Sequence, residues 1–200
     1  MGKKVFIVIA ILVVIALIVG GVYFTRNNNT ENQNTYIAQE ENQNITDGNI
    51  LVAYYSYSGN TESFANVISE EVGGDLFEIQ RAEDYSDLYT EAEAEINNGE
   101  RPALVSMPEN VEQYDTIFIG YPIWWDRAPA MINTFLGNID LTGKTVIPFC
   151  TSSSDGIEGS ITDIRNSAQG ANILEGLRIS GGSAESNRSE IQTWLNGIGY

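Results

Sequence analysis

The sequence predicts an α/β domain in which a parallel sheet of five strands is covered by helices on both faces. Two observations predict it. Short apolar runs without polar alternation recur along residues 49–200, as expected of strands that are buried on both sides. Segments with helical spacing of their apolar residues lie between and after these runs. This stretch is long enough for one hydrophobic core and too short for two.

The chain opens with residues 5–24, which are uncharged and almost wholly apolar. As a helix this segment would span about 30 Å, the thickness of the hydrocarbon core of a bilayer. A cleavable secretory signal has an apolar stretch of only about 7–15 residues, so an uncleaved anchor is favoured over a signal peptide. Lys3 and Lys4 outnumber Arg26, which predicts a cytoplasmic N-terminus. Residues 1–26 therefore predict a single-pass anchor in a bacterial cell membrane, with the domain extracytoplasmic.

Residues 27–48 are rich in Asn, Gln and acidic residues and contain little that a fold could bury. We expect a disordered linker between the anchor and the domain at residues 49–200. Residues 27–200 hold all 27 acidic residues but only seven of the ten basic ones, which leaves a net charge of −20. Such a surface should repel nucleic acid and attract partner proteins with a basic surface.

The domain begins with the strong predicted strand Ile50–Tyr55. Two further strong strands follow at Asp115–Tyr121 and Lys144–Cys150, and two weaker ones are predicted at Asp75–Ile79 and Ile173–Ile179. The predicted helices are Thr61–Val72, Tyr89–Asn97, Ala128–Leu136, Gly159–Ala168 and Glu190–Ile198. Ligands of such sheets bind beyond the carboxyl ends of the strands, so the loops after the three strong strands are the candidate sites.

The first loop, residues 56–61, reads Ser-Tyr-Ser-Gly-Asn-Thr between a buried strand and the start of a helix. Its glycine permits a tight turn, its hydroxyl groups are short donors, and the helix dipole adds partial positive charge. This composition is typical of an anion site built from neutral donors. The alternative is that Asn60 or Thr61 merely caps the helix and that Gly59 makes the turn.

The second loop, residues 122–125, reads Pro-Ile-Trp-Trp, and the third loop, residues 151–156, is again small and rich in hydroxyl groups. Tandem tryptophans at the end of a strand offer a flat apolar wall. We expect one tryptophan in the core and the other against a ligand, and the sequence does not distinguish which. The third loop would supply hydrogen bonds at the edge of that ligand.

The chain has no histidine and a single cysteine, Cys150. These counts exclude a Ser-His-Asp or Cys-His catalytic site, an internal disulfide and a Cys/His zinc site. We therefore predict no catalytic residue and no metal site, and expect the chemistry to come from a cofactor.

The segments YYSYSGNTES, IGYPIWW and PFCTSSSDG resemble the flavodoxin family, in particular flavodoxin-like domains with a Tyr-Pro-Ile-Trp-Trp loop. The resemblance implies a three-layer α/β/α sandwich, a sheet of order 2-1-3-4-5 and noncovalently bound flavin mononucleotide (FMN). It implies that the phosphate would be held by Ser56, Ser58, Gly59, Asn60 and Thr61. The flavin ring would be flanked by Pro122, Ile123, Trp124 and Trp125. The edge of the ring would be contacted by Ser152, Ser153, Ser154 and Gly156.

The predicted function is a low-potential, one-electron carrier that is tethered to a membrane and exchanges electrons with partner proteins. One alternative is an FMN-dependent NAD(P)H or quinone oxidoreductase, which would need a second pocket next to the flavin. The other alternative is a module on the same fold that binds a partner without flavin. Carboxylates favour the carrier because each one about 10 Å from the flavin would oppose its reduction by about 1 kcal/mol, or about 40 mV.

Overall fold

The computed structural model describes residues 49–180 and 183–200. Its strands are β1 (Ile50–Tyr54), β2 (Asp75–Glu78), β3 (Thr116–Pro122), β4 (Thr145–Thr151), β5 (Asn172–Ile173) and β6 (Leu177–Ile179). Its helices are α1 (Asn60–Val72), α2 (Leu88–Asn98), α3 (Ala130–Gly137), α4 (Glu158–Ser167) and α5 (Arg188–Ile198). Two short 3₁₀ turns lie at Val111–Gln113 and Glu185–Asn187. The five predicted helices are all present, with ends shifted by one or two residues.

All strand pairs are parallel, and the order along the sheet is β2-β1-β3-β4-β5, with β6 also paired to β4. The predicted order 2-1-3-4-5 is therefore confirmed. From β1 the chain proceeds first to β2 on one side and then to β3 on the other. The carboxyl ends of β1 and β3 thus form the point where strand order reverses, which is where ligands bind in this class of sheet.

Two hydrophobic clusters cover the two faces of the sheet, and β1 contributes alternate residues to them. Leu51 and Ala53 belong to the first cluster, which includes Met131 and Phe135 of α3. Val52 belongs to the second cluster. The second cluster also holds residues of α1 and α5, namely Phe64, Ala65, Val67, Ile68, Ile191 and Leu195. Burial of β1 on both sides explains why its sequence has no polar alternation.

The predicted strand Ile173–Ile179 is wrong in its middle, because the structure divides it into β5 and β6. Val146 pairs with Ile173, and Phe149 pairs with Leu177, so the two residues between these positions on β4 face three residues on the partner strand. One extra residue is therefore inserted as a bulge. The insertion lies opposite Pro148, which has no N–H to donate. Gly176 suits the bulge since a Cβ there would lie 2.7 Å from the carbonyl oxygen of Pro148.

The predicted membrane anchor and linker lie outside the described residues. Among residues 49–180 and 183–200, no helix has the length and apolar character needed to cross a bilayer.

Candidate cofactor site

The first predicted loop connects β1 to α1 through a tight turn at Gly59. Its φ of 82° lies in the left-handed region, which glycine adopts without steric cost. The first hydrogen bond of α1 runs from the N–H of Ser63 to the carbonyl of Gly59, at 3.1 Å. The N–H groups of residues 60–62 therefore have no partner within the helix, and they stand at the positive end of its dipole. The backbone alone makes this helix start suitable for an anion.

The hydroxyl groups of Ser56 and Ser58 in the first loop differ in exposure and in hydrogen bonding. The Ser56 hydroxyl is buried and has no hydrogen-bond partner among the residues that the structure describes. An unpaired buried hydroxyl costs about 1–3 kcal/mol, so this atom fits a ligand acceptor. Ser58 is exposed and accepts a hydrogen bond of 3.2 Å from the Asn60 amide.

Thr61 is only 1% exposed. Its hydroxyl oxygen lies 2.9 Å from that of Thr151 at the end of β4. The interaction ties the first loop to the start of the third.

A cavity of about 380 Å³ lies where the three predicted loops meet. Seven of the thirteen predicted site residues line it: Ser58, Asn60, Pro122, Ile123, Ser152, Ser153 and Ser154. Its lining also includes five residues that the sequence analysis did not select, namely Phe64, Thr151, Asp155, Ile179 and Ser180. Of the described residues in the lining, Asp155 is the single charged one. The structure therefore brings all three loops to one concave surface made mostly of hydroxyl, amide and apolar groups.

The third loop is held by its own hydrogen bonds. The Ser152 hydroxyl accepts from the N–H of Asp155 at 2.9 Å and from that of Ser154 at 3.3 Å. The N–H of Ser152 donates to the carbonyl of Ile179 at 3.1 Å, and a guanidinium nitrogen of Arg178 donates to the Ser152 carbonyl at 3.3 Å. These hydrogen bonds fix the conformation of the third loop, which favours a preformed edge for a ligand. Gly156 does not line the cavity and packs against the carboxylate of Glu158 instead.

The second loop makes a tight reverse turn directly after Ile123. The N–H of Trp124 donates to the carbonyl of Arg127, and the N–H of Arg127 donates to the carbonyl of Trp124, both at 2.9 Å. Trp125 and Asp126 have φ values of 49° and 61°. Two consecutive non-glycine residues in the left-handed region are unusual, and such strain concentrates at functional sites.

Arg127 anchors this turn to the body of the domain. Its guanidinium forms two bonds of 2.7 Å with the carboxylate of Asp163 on α4. It also donates to the carbonyl of Ile96 on α2, at 3.2 Å. Arg127 therefore holds the turn between two helices.

Trp124 packs edge-on against a cluster of aromatic rings rather than lining the 380 Å³ cavity. Its ring centroid lies 5.6 Å from Tyr55, 6.0 Å from Tyr57 and 6.2 Å from Tyr85. Trp125 contacts Trp124 and is 39% exposed. The structure thus places Trp124 in the packed position and Trp125 in the exposed one, a distinction that the sequence left open.

A second and larger cavity, of about 660 Å³, adjoins the first loop on the side of β2. Tyr57 lines it, whereas the next residue, Ser58, lines the smaller cavity. Its other walls come from the end of β2 and the segment that follows, residues 78–86, with Tyr55, Leu88 and Val105. The sequence analysis did not anticipate this cavity, because the segment after β2 carries no motif.

Burial favours the protonated form of two tyrosines that line the larger cavity and of Cys150 in the core. It raises the pKa of Tyr55 to about 12, with smaller contributions from neighbouring groups. It also raises the pKa of Tyr85, whose hydroxyl donates to Glu95 at 2.8 Å. Burial raises the pKa of the Cys150 thiol to about 12. A buried, protonated thiol is a poor nucleophile, so Cys150 packs in the core.

The fold and the three loops define a doubly wound α/β protein with a ligand site at the switch point of its sheet. The family model described as flavodoxin matches residues 49–198, and the chain belongs to the flavodoxin family. The predicted family is therefore confirmed. No curated protein matches the chain.

The solved structures that are similar to this chain include three flavoproteins. A candidate flavoprotein from Bacteroides eggerthii is 38% identical over 77% of this chain and 99% of its own, with a TM-score of 0.68. A candidate flavoprotein from Bacteroides uniformis is 38% identical over 74% of this chain and 98% of its own, with a TM-score of 0.67. A flavoprotein from Lactobacillus acidophilus in complex with FMN shares the fold, at 24% identity over 72% of this chain and 99% of its own, with a TM-score of 0.60.

Proposed function

We propose that the chain binds FMN in the 380 Å³ cavity and serves as an electron-transfer protein. Membership of the flavodoxin family supports FMN as the cofactor. The observation that carries the assignment is that one loop holds both the unpaired, buried Ser56 hydroxyl and the free N–H groups at the start of α1. A phosphate would satisfy these donors together, and no other group in the described residues does so.

The phosphate site would consist of neutral donors alone. Ser56 and Ser58 would contribute hydroxyl groups, Asn60 its amide, and Gly59 the turn that exposes the backbone. Among the residues that the structure describes, no lysine or arginine lines this cavity. Several preorganised neutral donors can bind a dianion through hydrogen bonds. The affinity for the phosphate would then not depend on the net charge of this acidic protein.

The flavin ring would lie between the second and third loops. Pro122 and Ile123 line the cavity on one side, and Ser152, Ser153 and Ser154 line it on the other. Trp124 would support the ring from behind through its aromatic cluster, and Trp125 would stand at the exposed rim. FMN supplies the redox chemistry when bound, and these side chains bind and orient it.

The surrounding charges favour a low reduction potential. Asp155 lines the cavity, and Glu158 packs against Gly156 at the same loop. Carboxylates at such positions oppose the gain of negative charge by a bound flavin. We therefore propose a one-electron carrier whose acidic surface attracts basic redox partners.

The spectrum of the purified full-length chain tests this function. We expect a yellow protein with the absorption bands of bound flavin, and quenching of flavin fluorescence when FMN is added to the apoprotein. A colourless preparation that leaves FMN fluorescence unchanged would overturn the redox assignment and favour the flavin-free module.

The larger cavity keeps the oxidoreductase alternative worth testing, because it could admit a second substrate beside the flavin. Its three carboxylates, however, would repel the phosphates of NAD(P)H. Stopped-flow mixing of the FMN-loaded protein with NADPH or NADH distinguishes the two functions. A carrier would be reduced slowly and without sustained turnover, whereas rapid reduction with steady turnover would establish the enzyme.

We further propose that residues 1–26 tether the protein to the cell membrane, with the domain extracytoplasmic. The support is the uncharged, apolar segment 5–24 and the distribution of Lys3, Lys4 and Arg26. Fractionation should recover the full-length protein in membranes, and protease added to intact cells should digest the domain. Recovery in the soluble fraction would contradict the tether, and protection of a membrane-bound domain would reverse its orientation.

A further inference from the structure

The larger cavity is surrounded by aromatic side chains. Tyr55, Tyr57 and Tyr85 line it, and Trp124 packs behind all three. Among the described residues, five large hydrophobic side chains are exposed, and two of these, Tyr57 and Val105, line this cavity. Tyr57 is 62% exposed and Val105 is 59% exposed. Exposed apolar groups gathered around one concavity are typical of a binding site.

The cavity is also strongly negative. Glu78, Glu83 and Asp84 line it, and within the described part of the chain Arg81 is the only basic residue in its lining. Arg81 is already paired with Glu95, at 2.8 Å. The lining therefore carries an excess of negative charge that its one cation does not neutralise.

A cationic side chain of the protein already lies over one of these tyrosine rings, as a cationic ligand could. The guanidinium carbon of Arg81 lies 4.5 Å from the ring centroid of Tyr85. Cations bind the faces of aromatic rings at such distances, and more strongly where water is partly displaced. Among the described residues, no cation lies over the ring of Tyr55 or Tyr57 in this way.

We propose that this cavity binds a flat organic cation, with its rings against Tyr55 and Tyr57 and its charge facing Glu83 and Asp84. At about 660 Å³ the cavity is large enough for a ligand of two or more rings. Residues 27–48 do not complement it, because they carry four acidic residues and no basic one. The proposal does not require the FMN function, since its site is formed by other residues.

The test compares two probes that share their rings and differ in charge. Methyl viologen is a flat dication, and 4,4′-bipyridine is its neutral counterpart at mildly alkaline pH. Isothermal titration of the full-length chain is carried out at physiological ionic strength, which screens the general field of the acidic surface. Each titration is done with and without saturating FMN, so that failure of FMN binding and failure of this site are seen separately. We expect methyl viologen to bind with a stoichiometry of one and at least about tenfold more tightly than bipyridine.

Two pairs of variants locate the site. The double variant Glu83→Gln, Asp84→Asn and the double variant Glu109→Gln, Glu112→Gln change the net charge equally, and only the first alters the cavity. Likewise Tyr57→Leu removes a lining ring, whereas Tyr89→Leu removes an exposed ring outside the cavity. All six substituted positions are exposed, so the four variants should fold.

The two cavity variants should weaken methyl viologen binding at least about tenfold, and the two controls by less than about twofold. Equal losses in both charge variants would show a general attraction to the acidic surface and would overturn the proposal. Binding of bipyridine as tight as that of methyl viologen, or no binding of either probe, would overturn it as well.

Discussion

The two cavities beside the first loop differ in chemistry although they share a wall. The smaller one is lined by serine and threonine hydroxyls, an asparagine amide and one carboxylate, that of Asp155. The larger one is lined by three tyrosines and by three carboxylates, those of Glu78, Glu83 and Asp84. Tyr57 and Ser58, which are adjacent in the chain, belong to different cavities.

This difference teaches that volume does not identify the cofactor site in this protein. The larger cavity would repel a phosphorylated ligand, whereas the smaller one is lined by Ser58 and Asn60 at the start of α1. We infer that one loop separates an anion site from a cation site. The predictions below test that separation, from the largest expected effect to the smallest.

Placing the same charge in each cavity should affect FMN affinity to very different extents. Ser58→Asp adds a carboxylate where the phosphate is proposed to bind, and we expect FMN affinity to fall at least about 100-fold, or about 3 kcal/mol. Ser86→Asp adds a carboxylate to the larger cavity and should change FMN affinity less than about threefold, because it lies outside the phosphate site. Fluorescence titration with FMN measures both. Equal losses would show that overall charge, and not position, controls binding.

Burial of Tyr55 at the larger cavity should make the folded protein less stable at alkaline pH. Burial raises the pKa of Tyr55 from its usual 10 to about 12 in the folded state. The folded protein therefore holds this proton more tightly than the unfolded chain. The resulting stability is fully present below about pH 10 and is lost as pH rises through about 12, by about 1–3 kcal/mol.

Chemical denaturation at pH 9 and pH 12 checks this loss. The variant Tyr55→Phe should show a smaller decrease between the two pH values, while Tyr89→Phe, at an exposed position, should behave as the parent protein. An unchanged decrease in Tyr55→Phe would assign the effect to other groups.

The first loop and the turn after the second loop also differ in the type of residue that adopts a left-handed backbone conformation. Gly59→Ala should destabilise the protein by about 1 kcal/mol, because alanine is strained at a φ of 82°. Asp126→Gly should stabilise it by up to about 1 kcal/mol, since Asp126 has a φ of 61° and glycine adopts this region freely. Thermal unfolding should shift by about 2–4 °C in opposite directions. Shifts of the same sign would contradict the assignment of strain to the second loop.

The smallest effect is expected for Arg178, which contacts the backbone of the third loop. Its guanidinium donates to the Ser152 carbonyl at 3.3 Å, and its Nε is buried without a partner among the described residues. Loss of this positive charge in Arg178→Met should lower the reduction potential of bound FMN by about 40 mV, if the charge is about 10 Å from the ring. Arg165→Met, at an exposed position of α4, is the control. Equal potentials in both variants would remove Arg178 from the electrostatics of the site.

The architecture and the smaller cavity could be predicted because their signals are local. The buried strand β1, the hydroxyl groups around Gly59 and the tandem tryptophans are each contiguous in the sequence. Once the sheet is parallel, topology brings the ends of β1, β3 and β4 together, so contiguous motifs are sufficient.

The remaining features depend on contacts between distant segments, which no local pattern records. The break between β5 and β6 follows from the approach of Gly176 to Pro148 on another strand. The aromatic cluster around Trp124 joins Tyr55 and Tyr57, which follow β1, to Tyr85 in the segment after β2. The larger cavity likewise combines the end of β1 with the segment after β2, and neither has a ligand-binding motif.

The most direct test of the anion site compares FMN with riboflavin, which lacks the phosphate. Both are titrated into the full-length apoprotein, and the ratio of their affinities measures the contribution of the phosphate. If uncharged donors at the start of α1 hold that group, FMN should bind at least about 100-fold more tightly. Riboflavin binding as tightly as FMN would contradict the account.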